Sequence, residues 1–272
     1  MTFLISFAWG DIIRQYLHKI GPMEILIAGA KRLGFDLSPE QVDSFQLYYE
    51  ELVHWNKRMN LTAIVDYEGV QLKHFLDSLT VTLCVEGITG KLLDVGTGAG
   101  FPGVPLKLLF PGIRLWLLDS TGKKASFLNH LVDGLGLEGV EVLTGRAEEL
   151  AHDGRYRETF DLVLSRGVAK LDTLAELALP FCTPGGTFIA QKKGEINEEV
   201  EAAGRAIDIL GGCLREIRWV ELEELGEGRA LVVIDKCSST PQRYPRRPGI
   251  PQKRPLGTEV QKVERPVVEH GK

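Results

Sequence analysis

Apolar positions between residues 23 and 85 recur at helical spacing. Ser38-Pro39-Glu40-Gln41 has the form of a capping box, with serine at the N-cap, proline at the first helical position and glutamine at the third. It launches an apolar stripe through Val42, Phe45, Tyr49, Leu52 and Val53 that reaches Trp55. A second helix is predicted from Glu68 to Cys84. From residue 90 the pattern changes. Short apolar runs at Lys91–Val95, Arg114–Leu118, Val140–Thr144, Asp161–Ser165 and Thr187–Gln191 alternate with helical patterns, which predicts βαβ units and a doubly wound, mostly parallel sheet. Two more strands, around Cys213–Val220 and Ala230–Lys236, have no helix between them. They are expected as an antiparallel terminal hairpin turning through the acidic residues Glu221–Glu227, which makes the sheet seven-stranded. The tail beyond Ser238 holds four prolines between 241 and 251, so it is expected to be extended and without a core.

Composition agrees with this α/β reading and narrows it. The 272 residues are 44% apolar and 25% charged, ordinary globular values that exclude fibrous and disordered classes. Four dispersed cysteines (Cys84, Cys182, Cys213, Cys237) form no CxxC pair and read as reduced core thiols of a cytoplasmic protein. The histidines lack metal-ligand spacing, so no metal is expected. No window approaches 18 uninterrupted apolar residues, so no membrane-spanning helix is expected. Residues 2–10 are apolar, but no basic residue precedes them, and Asp11 and Arg14 follow in place of a cleavage site. Met23 offers a second start, which would make 1–22 an extension. The expected division is therefore 1–22 extension, 23–88 helical N-terminal region, 89–237 α/β domain and 238–272 basic proline-rich tail. Net charge is −5, yet Arg243, Arg246, Arg247, Lys253 and Arg254 cluster between 238 and 256 without an acidic residue. An acidic body with a basic tail suggests local attraction to phosphate.

The chemistry concentrates at Asp94-Val95-Gly96-Thr97-Gly98-Ala99-Gly100-Phe101-Pro102-Gly103, a buried strand leading through a glycine-rich turn to a helix expected near Pro102. Glycines let a ligand lie against bare backbone at the carboxyl edge of the sheet. Gly98, Gly100 and Gly103 satisfy the G-x-G-x-x-G of dinucleotide sites. Gly96, Gly98 and Gly100, preceded by an acid, equally suit a site for S-adenosylmethionine. Asp119, at the end of the second strand, would hold ribose hydroxyls in either class. The terminal hairpin tips the balance towards a methyltransferase. Ala147 and Glu148 follow the third strand, where an adenine would lie, and Arg166 follows the fourth, where catalytic residues emerge. The fourth strand ends in Ser165-Arg166-Gly167, not in an N-P-P-Y loop for an exocyclic amine, and no cysteine stands where a covalent nucleophile is needed. The acceptor atom should therefore need neither covalent activation nor a strong base.

With His74-Phe75-Leu76-Asp77-Ser78, Leu118-Asp119-Ser120, Gln191-Lys192-Lys193-Gly194, Leu231-Val232-Val233 and Tyr244-Pro245-Arg246-Arg247-Pro248-Gly249 added in order, the chain resembles the ribosomal RNA small subunit methyltransferase G family, also called the glucose-inhibited division protein B family. The likeness covers roughly residues 23–256. It implies a class I, Rossmann-like S-adenosylmethionine-dependent fold and methyl transfer to N7 of one guanine of 16S rRNA, free or in a small-subunit precursor, by a cytoplasmic monomer. It further implies cofactor contacts from Gly96, Phe101, Asp119, Ser120, Thr121, Ala147, Glu148 and Arg166. Arg166, Lys193 and Arg229 are then candidate catalytic residues, and Lys123, Arg146, Arg243, Arg246 and Arg247 candidate RNA contacts, with Lys253 and Arg254 beside them. A small-molecule methyltransferase, a nucleotide-dependent oxidoreductase and a non-catalytic ribosome-assembly factor remain the competing classes.

Overall fold

Leu92 and Leu93 point to opposite faces of strand β1 (Lys91–Val95), and each joins a different apolar cluster. That alternation, repeated in the strands other than the exposed edge strand at 212–219, builds a sheet covered on both sides. The computed structural model describes residues 23–85, 87–222, 225, 226 and 228–257. The expected extension 1–22, the end of the tail at 258–272 and part of the acidic turn (223, 224 and 227) lie outside the described residues.

The other strands are β2 (Arg114–Asp119), β3 (Val140–Thr144), β4 (Phe160–Arg166), β5 (Cys182–Lys193), β6 (Gly212–Trp219) and β7 (Arg229–Lys236). Their order is β3-β2-β1-β4-β5-β7-β6, the doubly wound, mostly parallel sheet that was expected. β7 runs antiparallel to both β5 and β6, which gives the terminal hairpin. β5 begins earlier than the apolar run suggests, because a bulge between Phe160 and Leu162 lets Phe160 pair with Cys182 ahead of Thr187.

One face carries α1 (Glu24–Arg32), α2 (Pro39–Met59), α5 (Gly103–Leu109) and α6 (Gly122–Gly134). Their Leu26, Phe45, Leu52, Val104 and Phe127 form one cluster with Leu115, Leu117 and Leu162 of the sheet. The α2 capping box is complete: Gln41 N–H donates to Ser38 Oγ at 3.3 Å, and Ser38 N–H to Gln41 Oε1 at 2.9 Å. Tyr48 is the fully buried tyrosine of this helix, whereas Tyr49, assigned to the stripe from sequence, is half-buried. The second expected helix is a continuous helical run: α3 (Tyr67–Val70), a π-turn (Gln71–Leu76), α4 (Asp77–Leu79) and a 3-10 turn (Thr80–Leu83). Wide turns of this kind re-aim side chains and gather at functional sites. This one carries His74 towards the sheet.

The other face packs α7 (Leu171–Ala178) and α8 (Asn197–Ile209), with Leu174, Phe181, Ala203 and Ile207 against Val163, Phe188 and Val232. The tail corrects its expectation here. Residues 238–257 do not run free: Thr240, Tyr244 and Leu256 are buried. Arg157 donates to the carbonyls of Thr240 (2.8 Å) and Tyr244 (2.9 Å), and Thr240 N–H donates to Glu158 Oε1 at 2.6 Å. Proline-rich backbone has few internal hydrogen bonds, so side chains of the body satisfy it instead. The cysteine expectation is corrected as well, because Cys213 and Cys237 form a disulfide. Cys213 stands opposite Asp235 in the hairpin, which brings the two Cα atoms to 6.0 Å despite 24 residues of separation. Cys182 is a buried free thiol and Cys84 a half-buried one. Among the described residues no helix is long and apolar enough to cross a membrane, and no His, Cys, Asp and Glu group is placed to hold a metal.

Candidate active site

Asp94, one residue before the end of β1, has no exposed surface. Its Oδ2 accepts from Thr97 Oγ1 (2.7 Å) and Gly103 N–H (2.8 Å), tying the two ends of the glycine turn together. Burial is the main force raising its pKa to about 6, against the lowering effect of those bonds. A Cβ at residue 103 would lie 2.8 Å from Leu117 Cδ2, so α5 can start this close to the sheet only on glycine. Gly98 differs. Its φ of +61° disfavours other residues, yet the space where a Cβ would sit is open apart from Gly96 O at 4.0 Å, so bare backbone faces outward. Its N–H donates to Asp119 Oδ2 at 3.1 Å, and Thr121 N–H donates to Oδ1 at 2.9 Å. The loop and the end of β2 are thereby locked to each other.

Beside this lock lies a cavity of about 190 Å³ at the carboxyl ends of β1, β2 and β3. Gly96, Asp119, Ser120, Arg146, Ala147 and Glu148 line it, with Val168 packed against Gly96. Glu148 is buried, and its Oε1 accepts from Arg146 Nη2 and Gly249 N–H, each at 3.0 Å. Burial acts most strongly on its carboxyl and pushes upward, but the bonds from Gly249, its own backbone and Arg146 together hold it below the usual range. Pro251 and Gln252 of the tail close the rim. The lining suits the nucleoside part of S-adenosylmethionine: Asp119 can accept from ribose hydroxyls, while Val168, Leu118 and Leu177 supply apolar wall.

The loop after β4 separates this cavity from a second of about 470 Å³, with Val168 and Ala169 on the first and Arg166 and Gly167 on the second. The second gathers all three candidate catalytic residues, Arg166, Lys193 and Arg229. Asp77 organises it: Arg166 Nη1 donates to Oδ2 at 2.8 Å and Arg229 Nε to Oδ1 at 2.6 Å. The guanidinium of Arg166 also lies 5.0 Å above the Phe101 ring. Phe101 is stacked with Tyr48 (5.2 Å between centroids) and His74 (4.5 Å). His74 Nε2 lies 2.8 Å from Thr62 Oγ1, and its Nδ1 lies 3.4 Å from Arg166 Nη2. Burial first, then the Arg166 charge, lowers the imidazole pKa to about 4. At neutral pH it is therefore uncharged, with Nδ1 accepting from Arg166 and Nε2–H donating to Thr62.

The structure rearranges part of the expected set. Gly96, Asp119, Ser120, Ala147 and Glu148 meet in the first cavity, but Phe101 and Arg166 do not line it. The Phe101 ring is consumed by its aromatic stack, and Arg166 belongs to the second cavity. Thr121 is exposed and contributes its backbone N–H to Asp119. Lys123, Arg243 and Arg247 are exposed, whereas Arg146 borders the first cavity. Arg246 departs most from its expectation. Its Nε and Nη2 form a forked pair with the fully buried Glu176, and Nη2 also donates to Arg254 O. Sequence reasoning assigned no role to His74, Asp77 or Gln191, although all three lie in segments that carry the resemblance. The available signal was Asp77, a lone carboxylate in the otherwise apolar run Phe75–Leu79 apart from Ser78.

Residues 41–224 match the model of the GidB family, described as rRNA small subunit methyltransferase G. The chain is 53% identical over 236 residues to the ribosomal RNA small subunit methyltransferase G of Dehalococcoides mccartyi (strain CBDB1), covering 86% of this chain and all of that one. It is 46% identical over 228 residues to the protein of the same name from Desulforamulus reducens, covering 84% of this chain and 95% of that one. Among solved structures, a chain of the complex formed by the Haloferax volcanii Trm112 methyltransferase activator superposes with a TM-score of 0.50 at 16% identity, over 69% of this chain and 98% of that one, a likeness of fold alone. With its glycine turn, its Asp119 lock and these relatives along nearly their whole length, the chain belongs to the rRNA small subunit methyltransferase G family.

Proposed function

We propose that this protein transfers a methyl group from S-adenosylmethionine to N7 of one guanine of 16S rRNA. The observation that carries the reading is the pairing of a nucleoside-sized cavity with a larger one lined by arginines, divided by a single loop after β4. Bound in the first cavity, the cofactor supplies an electrophilic methyl group on a positive sulfur. Guanine N7 already holds an in-plane lone pair, so no proton must leave before attack. The second cavity agrees with that requirement. Its imidazole is committed to Thr62 and Arg166, the Asp77 carboxylate to two guanidinium groups and the Glu199 carboxylate to Lys192, so none of them is set up as a base.

What these residues do is position. Asp77 fixes Arg166 and Arg229 at one wall, where their remaining N–H groups can donate to the acceptor O6 beside N7. Orientation of this kind is worth up to roughly 7–11 kcal/mol. The base must leave its helix to enter, since the major-groove edge of A-form RNA is poorly accessible to side chains. Arg243, Arg247, Lys253 and Arg254, with Lys123 and Arg146, are the phosphate contacts of this reading, and such contacts position without reading sequence. The same reading places the protein in the cytoplasm with its substrate, 16S rRNA free or within a small-subunit precursor, and takes it to act as a monomer.

The test is methyl incorporation. Small subunits lacking their own methylation, incubated with this protein and S-adenosylmethionine, should yield 7-methylguanosine on nucleoside mass spectrometry. Tight cofactor binding without any methylated nucleoside in rRNA or subunits would refute the assignment.

A further inference from the structure

Among the described residues three buried side-chain polar atoms have no hydrogen-bond partner: Asp94 Oδ1, Arg157 Nε and Gln191 Oε1. Of these residues Gln191 is the one that lines the arginine-walled cavity. It is 6% exposed, and its orientation is fixed. Nε2 donates to Asp77 O at 2.7 Å and to Thr80 Oγ1 at 3.3 Å. A carbonyl only accepts, so the amide cannot be turned over, and Oε1 is left as an acceptor with nothing to accept from. A buried acceptor without a partner is costly, and a ligand donor that displaces the atoms covering Oε1 would remove that cost. Arg166, Lys193, Arg229 and Lys73 supply donors to the same cavity, while the Asp77 carboxylate is already shared by two arginines. The Glu199 carboxylate is paired with Lys192, so Gln191 Oε1 is the buried acceptor of this donor-rich wall that no protein group satisfies.

Its place in the sheet gives the ligand group. β4 lies between β1 and β5, and Arg166 and Gln191 are register partners on β4 and β5. Neighbouring strands are about 4.8 Å apart. Moving away from the cofactor cavity one therefore meets the end of β1, then Arg166, then Gln191. Guanine presents its groups in the same order: N7, then the acceptor O6, then the donor 2-amino group at the far side of the six-membered ring. We propose that Gln191 selects guanine by accepting a hydrogen bond from its 2-amino group through Oε1. The inference rests on the guanine-N7 reading above and adds the residue that distinguishes the base.

The experiment compares small subunits reconstituted with guanosine or inosine at the methylated position. Inosine keeps N7, O6 and N1–H and lacks only the 2-amino group. The wild-type protein should methylate the inosine subunit with a kcat/KM lower by about tenfold or more, since the buried acceptor stays unpaired. Gln191→Leu, and Gln191→Met as a second variant with a more adaptable side chain, should lower the guanosine value until the two substrates differ by no more than about twofold. Calorimetric affinity for S-adenosylmethionine should be unchanged in both variants, because Gln191 does not line that cavity. Equal rates on both substrates with the wild type would overturn the inference. So would a variant that loses rate on both while keeping the preference, which would leave Gln191 as a mere prop for Asp77. A wild-type protein that binds cofactor but methylates neither subunit would sink the rRNA reading itself, and this inference with it.

Discussion

At the scale of single residues, two carboxylates divide the work, and their variants should fail differently. Asp119 ties the glycine turn to β2 and faces the cofactor cavity, so Asp119→Ala should weaken S-adenosylmethionine binding by about 10–100-fold in calorimetry. Asp77 touches only the other cavity. Asp77→Asn should leave cofactor affinity as it is and lower kcat/KM for RNA by about 100-fold, through misplaced arginines. Equal losses of cofactor affinity in both variants would contradict this division. His74 carries a pH signature. Its pKa falls from 6.5 to about 4 on folding, so between those values the unfolded chain binds the extra proton. Stability from this residue is full above pH 6.5 and is lost as pH falls towards 4, by at most roughly 3 kcal/mol. Asp94 acts oppositely, because burial raises its pKa from 3.8 to about 6 and its charging costs stability as pH rises through that range. Chemical denaturation of His74→Asn between pH 4 and 7 should therefore show a shallower acid loss than wild type. An unchanged slope would mean that the imidazole is not held neutral.

At the scale of elements, the tail shows where charge alone misleads. Five basic residues among prolines read as a phosphate grip, yet one of them is a structural bolt. Glu176 has no exposed surface, and Arg246 supplies its forked partner. Arg246→Ala leaves that carboxylate buried and alone, with an expected loss of about 3 kcal/mol in denaturant unfolding. Arg243→Ala and Arg247→Ala should leave stability within about 0.5 kcal/mol and reduce the salt slope of rRNA binding by about 0.7–0.9 per contact. A stable Arg246→Ala with a reduced slope would return this residue to the RNA surface. The strands, the capping box and the glycine turn were legible because each is a local pattern with a fixed period or cap. The tail's packing was not, since its partners Arg157, Glu158 and Glu176 lie 70 to 87 residues away and present no periodicity. The Cys213–Cys237 pair was hidden for the same reason, since it depends on the register of a hairpin.

At the scale of the whole molecule, the doubly wound order places the glycine turn, Asp119, Glu148, Arg166 and Gln191 along one edge of the sheet, at the strand ends where such folds bind ligands. The N-terminal helices complete that edge. They bring Tyr48 against the glycine turn, where its hydroxyl donates to Ala99 O at 2.5 Å, and they bring Asp77 between Arg166 and Arg229. The sheet half of the site was readable from sequence because strand ends and glycines mark it. The helical half was not, because Asp77 meets Arg166 across 89 residues and Arg229 across 152. No short-range pattern encodes such meetings. The central claim is that both halves together present guanine N7 to the cofactor's methyl group, and one measurement tests it most directly. Small subunits methylated by this protein should, after borohydride reduction and aniline treatment, break their 16S rRNA at a single guanine, and only when S-adenosylmethionine was present. Methylated rRNA that does not break, or methylation of a base other than guanine, would contradict the account.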